Sequence, residues 1–212
     1  MLQRAAVGVA RVCLLLAVGG AWASSPDIAA AARAQVGVTL HYDPAYRKLA
    51  YPGGDVSPER GVCTDVVVRA LRSARSIDLQ RSVYEDISAN WDAYPNRARW
   101  GLSKPDPNID HRRVPNLMTW FERRGYSRPI TRESADYLPG DVVAWDLGRG
   151  ILHIGIVSDR KPDGVPLVIH NIGAGTREED ILFRYTIIGH YRLPPGSAPS
   201  VRASDPASVA GR

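Results

Sequence analysis

The sequence predicts an α+β protein in which N-terminal helices pack on a C-terminal antiparallel sheet. Before residue 125, apolar residues recur every three or four positions, which is the spacing of helices that bury one face. After Pro139, short apolar runs alternate with glycine-containing turns, which is the pattern of strands joined by tight turns. Helices followed by a run of turn-linked strands indicate an antiparallel sheet in a single domain.

The helices are predicted from their apolar spacing and their end signals. A short alanine-rich helix at 27–35 has Pro26 at its start and Gly37 just past its end. A second helix begins at or near Cys63, and two more are expected at 79–91 and 115–124. Two segments are predicted to be loops, 41–54 and 94–114. The second contains tryptophan and mixed charges, so we expect it to be ordered and to wall a cleft.

The strands are predicted in the last third of the chain. The apolar runs that indicate them cover residues 141–145, 152–158 and 167–172, and the region 183–192 is expected to hold one or two more. Each run is separated from the next by a turn that contains glycine.

The two ends of the chain differ in composition from the region between them. Residues 1–23 contain two arginines and no acid, then an apolar run and a small-residue cleavage site, which predict a signal peptide. Residues 194–212 are rich in Pro, Ser, Ala and Gly and are predicted to be a disordered tail. We therefore expect one domain, 24–193, in an exported monomer that is periplasmic or secreted and not inserted in the membrane after signal removal.

Charge and cysteine content narrow the function classes. The formal net charge is +5, and loss of Arg4 and Arg11 with the signal peptide leaves +3. No cluster of basic residues forms a stripe typical of a nucleic-acid interface, so no nucleic-acid partner is expected. Cys13 lies in the predicted signal peptide, which leaves Cys63 as the only thiol of the mature chain. Because an exported protein is exposed to oxidation, a lone thiol favours a chemical role over a structural one.

Cys63 is placed at the beginning of a predicted helix, directly after Gly61-Val62. The free N–H groups and the dipole of a helix N-terminus favour an anion and give a thiol thiolate character. A structural cysteine would more naturally lie mid-helix on the apolar face. Position alone leaves the reactive and the structural interpretations about equal.

Two histidines on neighbouring predicted strands supply the groups that a reactive thiol needs. His153 and Gly155 share one face of their strand, and the next strand carries His170 and Asn171, which point to opposite faces. A cysteine hydrolase would use Cys63 as nucleophile, His153 as base and a polar third residue. Strand alternation does not show whether His170 or Asn171 is that third residue. A histidine that only bonds a loop is the structural alternative. A metal site is disfavoured because no close-spaced ligand pairs occur, and no cofactor is expected.

Five segments in order resemble the NlpC-type cell-wall peptidases of the papain-like cysteine peptidase superfamily. They are Tyr51-x-Gly-Gly, Gly61-x-Cys63, Leu138-Pro-Gly-Asp-Val-Val, His153-Ile-Gly-Ile-Val and Val168-Ile-His170. The resemblance implies a papain-like fold, a catalytic triad of Cys63, His153 and His170, and a supporting tyrosine near the thiol, matched here by Tyr51. It further implies hydrolysis of an amide bond in peptidoglycan stem peptides, and it is closest to a subfamily of exported bacterial proteins.

Further residues are predicted to bind substrate or to support the site. Asp65 either stabilises the dipole of the Cys63 helix or contacts substrate or an arginine. Arg112 and Arg113, which follow His111 in the long loop, either bind substrate carboxylates or form ion pairs with Asp110 or Asp106. The full set of supporting candidates is Tyr51, Asp65, Asn171, His111, Arg112 and Arg113.

Two alternatives to hydrolysis use the same residues. A non-catalytic wall-binding domain would keep the fold with an inactive triad. An acyl or peptidyl transferase would use the same thiol with an amine in place of water.

Overall fold

The computed structural model describes residues 24–195, and they confirm the predicted α+β class. The helices are α1 (Pro26–Arg33), α2 (Cys63–Arg75), α3 (Leu79–Ala89), α4 (Asn96–Trp100) and α5 (Val114–Arg123). The strands are β1 (His41–Tyr42), β2 (Arg60–Gly61), β3 (Val142–Asp146), β4 (Leu152–Val157), β5 (Val168–His170), β6 (Arg177–Glu179) and β7 (Thr186–Tyr191). The predicted signal peptide and all but the first two residues of the predicted tail lie outside the described residues.

The helical layer forms because each long helix buries an apolar face. On α2, the residues Val66, Val67, Ala70 and Leu71 are almost fully buried, and α1 packs directly against this helix. The helix ends at Ser76, which adopts a left-handed conformation. Asp78 then accepts hydrogen bonds from the first N–H groups of α3 and so fixes where that helix begins.

The sheet has five strands in the order β6-β5-β4-β3-β7, and every neighbouring pair is antiparallel. One face, which includes Ala144, Ile154 and Ile156, packs on the helical layer in the main core. The other face contributes Trp145 and Val157 to a second core that is closed by loop residues. Because both faces are covered, the histidines on β4 and β5 are held in a buried sheet.

Four short elements were not predicted. The loop 94–114 contains α4 and a 3₁₀ turn at Asp110–Arg112, and the loop 41–54 contains β1, which pairs with β2 in parallel. The edge strand β6 reads Arg-Glu-Glu and has no apolar residue that could mark a strand. These elements are too short or too polar for a periodic signal, so only tertiary pairing reveals them.

Candidate active site

Cys63 is the first residue of α2 and lies at the base of an open cleft. The thiol residue is 5 % exposed. The cleft has a volume of about 260 Å³, and its lining includes Tyr42, Arg99, Trp100, Arg112, Arg113 and Leu152. The long loop therefore does wall a cleft, as its composition predicts, and this cleft reaches the single thiol of the described chain.

The start of α2 is fixed by a buried ion pair. Asp65 accepts a hydrogen bond of 2.7 Å from the N–H of Val62 and pairs with the Arg112 guanidinium at 2.9 Å. Both side chains are nearly inaccessible, at 3 % and 2 % exposure. Asp65 therefore combines two of the expected roles, because it caps the helix and binds an arginine.

Arg112 supports the site from inside the protein. Besides Asp65, its guanidinium donates to the backbone carbonyls of Asp43 at 3.0 Å and Ala45 at 3.2 Å. The Thr64 hydroxyl donates to the Arg112 carbonyl at 3.1 Å. Since its donors are engaged by the protein itself, Arg112 joins the long loop, the β1 loop and the Cys63 helix, and its predicted role as a carboxylate ligand for substrate is replaced by this structural one.

Arg113 and Arg99 line the cleft, and each guanidinium lies near the Trp100 ring. Arg113 forms the expected ion pair with Asp110 at 2.7 Å, and its guanidinium carbon lies 4.5 Å from the centre of the Trp100 ring. The corresponding distance from Arg99 is 5.7 Å. Arg99 was not a sequence candidate, because no motif or periodicity connects residue 99 with Cys63.

The two strands bring the candidate imidazoles together. His153 Nε2 lies 3.0 Å from His170 Nδ1, and the two rings are nearly perpendicular at 84°. Both residues are almost completely buried, at 2 % and 1 % exposure. The structure thus decides between the two candidates for the third position: His170 contacts His153, and Asn171 does not take that place.

Asn171 holds the segment before the thiol. Its side-chain amide donates to the carbonyl of Gly61 at 3.1 Å, and its oxygen accepts from the N–H of Gly173 at 3.2 Å. The end of β5 is therefore attached to the residue two positions before Cys63. Asn171 is a supporting residue for the start of α2.

Gly155 is required for the close approach of β5. A methyl group at this position would lie 2.8 Å from Val168 Cγ1 and 3.1 Å from the Cβ of His170. The absent side chain leaves room for the two strands and for the imidazole pair, which matches the close approach predicted for this glycine.

The thiol lies against the backbone of β4 next to His153. Burial raises the pKa of Cys63 to about 12 and outweighs the nearby backbone N–H groups of Ile154, Thr64 and Cys63, which lower it. The thiolate character expected from the helix N-terminus is therefore wrong for the resting protein. Among residues 24–195, no direct hydrogen bond joins the sulfur to the His153 ring.

The His153 ring is neutral for a similar reason. Burial, followed by the nearby charge of His170, lowers the pKa of His153 to about 3. Because Nε2 is engaged by His170, Nδ1 is the ring nitrogen left for the thiol. The register places His153 opposite Trp145, while Cys63 belongs to the core on the other face of the sheet. The thiol and the imidazole therefore approach the start of β4 from its two sides.

The tyrosine beside the thiol is Tyr42 and not Tyr51. Tyr42 pairs in register with Gly61 and lines the cleft with Cys63. Burial raises the pKa of Tyr42, and the nearby Asp65 carboxylate adds to that effect. Tyr51 instead packs edge-on against Tyr84 of α3, with ring centres 5.3 Å apart. Sequence analysis missed Tyr42 because the parallel pairing of β1 with β2 involves only two residues on each strand.

His111 lies behind the cleft and is not part of its lining. It is 2 % exposed, and burial lowers its pKa to about 4. Its Nδ1 has no hydrogen-bond partner within the described part of the chain. The structure therefore places His111 inside the protein and not on the cleft surface.

No group of three or more His, Cys, Asp or Glu side chains in residues 24–195 is arranged to hold a metal ion. In the same region no helix has the length and apolar character needed to cross a membrane.

The fold and the buried Cys–His–His set define an α+β protein with a thiol at a helix start and an imidazole pair on its sheet. The chain belongs to the family described as domain of unknown function DUF1287, whose sequence model matches residues 29–193. It is also similar to a protein of Escherichia coli (strain K12) described as uncharacterized protein YijF. The two chains are 58 % identical over 166 residues, which cover 78 % of this chain and 80 % of the relative.

Proposed function

We propose that this protein is an exported cysteine hydrolase of the papain-like, NlpC-type class that cleaves an amide bond in peptidoglycan stem peptides. Cys63 is the nucleophile, His153 the base, and His170 the residue that orients His153. One observation carries the proposal. Cys63, the single thiol of the described chain, lies at a helix start in an open cleft. It also lies next to Ile154, the strand residue that follows His153, whose buried ring is hydrogen-bonded to His170. Export to the periplasm or the medium rests on the composition of residues 1–23.

The mechanism begins with a neutral thiol and a neutral imidazole. As the sulfur attacks the substrate carbonyl, its proton passes to His153 Nδ1, and the carbonyl π electrons move to oxygen. The oxyanion is stabilised by the backbone N–H groups of Cys63 and Thr64 in the first turn of α2. His153 then gives its proton to the leaving amine, and an acyl-enzyme forms. Water, deprotonated by His153, releases the acid and restores the thiol.

Because the His153 ring and the thiol lie on opposite sides of β4 in the unliganded protein, the proposal requires the ring and the thiol to move together when substrate binds. Catalytic hydrogen bonds are often long or poorly aligned in unliganded enzymes and tighten in the substrate complex. Substrate in the cleft also excludes water, which strengthens the interaction between the thiolate and the imidazolium that form during attack.

The charge of the cleft supports an anionic substrate. Its lining contains three arginines and no acidic residue. Asp65 neutralises Arg112 and Asp110 neutralises Arg113, whereas the ion pairs of residues 24–195 include none to Arg99. A stem peptide carries free carboxylates, and guanidinium groups bind carboxylates through paired hydrogen bonds. Arg99 is therefore the proposed carboxylate ligand, with Trp100 as the apolar wall.

A non-catalytic wall-binding domain is the second candidate. The raised pKa of Cys63 and the missing direct bond between the thiol and His153 favour it over an acyl or peptidyl transferase. This candidate requires binding to cell-wall polymer that does not depend on Cys63.

Digestion of purified peptidoglycan tests the proposal. The protein from residue 24 onward is incubated with sacculi, and released peptides are identified by mass spectrometry, with and without an added primary amine. We expect release by the native protein and none by Cys63→Ala, whose folding is checked by circular dichroism. Products that carry the added amine would show transfer. Release by Cys63→Ala contradicts the proposal, and co-sedimentation of both proteins with sacculi without any release favours the binding domain.

A further inference from the structure

The imidazole pair continues to a carboxylate at the edge of the sheet. Glu179 lies on the edge strand β6, which pairs with β5, and its Oε2 is 3.2 Å from His170 Nε2. The His170 side chain is 1 % exposed, whereas that of Glu179 is 38 % exposed. His170 is therefore a buried ring with one nitrogen on His153 and the other on a partly exposed carboxylate.

The contact between Glu179 and His170 is electrostatic in this arrangement. The distance is that of an ion pair, but the N–H direction of His170 does not meet hydrogen-bond geometry. Burial lowers the pKa of His170, and the charge of Glu179 opposes that effect. The other charged or titratable groups near the pair are His153, and Arg177, whose Nη1 is 3.9 Å from Glu179 Oε1.

Only one arrangement of protons suits both neighbours of His170. If Nε2 of His170 were bare, that is, unprotonated, its lone pair would face the carboxylate oxygen at 3.2 Å, and two acceptors would repel each other. A proton on Nε2 turns this repulsion into attraction. His170 Nδ1 is then bare and accepts the hydrogen bond of 3.0 Å from Nε2–H of His153. His153 Nδ1 is consequently bare as well, and a bare nitrogen is what a base for the thiol needs.

We infer that Glu179 is a positioning residue that fixes the proton on His170 Nε2 and, through His170, keeps His153 Nδ1 free to accept the thiol proton. The inference rests on the proposed function for its consequence in catalysis. The proton arrangement itself does not depend on any turnover. Glu179 acts through two imidazoles and touches neither the thiol nor the cleft lining.

Three variants test whether the side chain at position 179 controls the position of the protons, or whether any change of charge at the edge of the sheet has the same effect. Glu179→Ala removes the carboxylate, and Glu179→Lys replaces an acceptor by a donor that favours a bare His170 Nε2. Asp180→Asn is the control, because it removes the same charge from the next residue. ¹⁵N-labelled proteins are studied by NMR, in which long-range ¹H–¹⁵N correlations show the ring nitrogen that carries the proton in His153 and His170.

The expected result is N–H at Nε2 of both rings in the native protein and in Asp180→Asn. Glu179→Ala should give a mixture, and Glu179→Lys should move the protons to Nδ1 of both rings. Partners that orient a histidine at metal sites typically matter by about 10- to 100-fold. We therefore expect Cys63 alkylation by iodoacetamide at pH 7 to slow about tenfold in Glu179→Lys, at the low end of that range.

Two outcomes would overturn the inference: a proton on His170 Nδ1 in the native protein, or unchanged protonation in Glu179→Lys. Neither measurement needs a substrate, so a failure of the proposed function can be distinguished from a failure of the inference about Glu179. If sacculi are not cleaved and the protons still move in Glu179→Lys, the positioning role stands without the hydrolase. If sacculi are cleaved and the protons do not move, only the role of Glu179 is lost.

Discussion

The two sides of the candidate site are held by different kinds of interaction. On the helix side, Cys63 follows a segment fixed by the buried ion pair between the Asp65 carboxylate and the Arg112 guanidinium. On the sheet side, His153 and His170 hold each other through a bond that depends on the position of a proton. The two sides of the site therefore have different roles in the proposal. The helix side gives the thiol a fixed location, and the sheet side supplies groups that can exchange protons.

The largest expected effect comes from removal of the base on the sheet side. General-base catalysis contributes about 10²- to 10⁴-fold, so His153→Ala should slow turnover of the proposed substrate by that factor. The rate of Cys63 alkylation between pH 6 and 10 should fall as well, because the thiol loses its proton acceptor. His41→Ala, at an exposed imidazole, is the control and should change neither rate. Equal alkylation in native protein and His153→Ala would show that the two sides do not cooperate.

The next largest effect comes from breaking the ion pair on the helix side. Arg112→Met leaves Asp65 buried without its partner, and such a loss typically costs about 3–5 kcal/mol of the free energy of unfolding. Arg81→Met is the control, because both partners of its ion pair with Glu85 are exposed, and we expect a cost below about 1 kcal/mol. Urea unfolding followed by circular dichroism measures both. Similar losses in the two variants would contradict the special role of the buried pair.

The third effect is a loss of stability at acidic pH. It is expected from one imidazole on the sheet side, His153, and from one on the helix side, His111. The folded-state pKa of His153 is about 3 and that of His111, on the helix side, is about 4, both below the unfolded value of 6.5. Below pH 6.5 the unfolded chain therefore binds protons that the folded protein does not. Stability is complete above pH 6.5 and falls as the pH drops towards these folded values. Each imidazole should remove on the order of 2 kcal/mol between pH 7 and pH 5.

His153→Gln and His111→Gln test this separately. In each variant, the difference between the free energies of unfolding at pH 7 and pH 5 should shrink by about the contribution of one imidazole, on the order of 2 kcal/mol. His41→Gln should leave the difference unchanged. If only His153→Gln reduces it, the acid response belongs to the sheet side alone. A difference unchanged in both variants would mean that these imidazoles are protonated in the folded protein.

The smallest effect concerns the cleft wall. Arg99→Gln removes a guanidinium that has no acidic partner in the described ion pairs, so stability should change by less than about 0.5 kcal/mol. We expect KM for the proposed carboxylate-bearing peptide to rise about threefold to tenfold with kcat unchanged, because the interaction is equal in substrate and transition state. Steady-state kinetics with the free and the amidated peptide measure this. A loss confined to kcat would instead connect Arg99 with the chemistry.

Much of the site could be predicted because its signals are local. The apolar spacing of α2 put Cys63 at a helix start, and strand alternation put His153 and Gly155 on one face. Local patterns did not show that Tyr42 is beside the thiol, that Arg112 is engaged internally, or that Glu179 contacts His170. These three contacts join residues that lie far apart in the sequence or on strands without an apolar pattern.

The sequence by itself determined the α+β class and the order of the main helices and strands, and it left Cys63 as the only cysteine of the predicted mature chain. Hydrophobic periodicity and turn residues act within about ten positions, so they predict local structure without knowledge of contacts with distant segments. Tertiary structure decided that His170 rather than Asn171 contacts His153, and that burial keeps Cys63 and His153 neutral. Those outcomes depend on strand register and on desolvation by distant segments, and both exist only once the chain has folded.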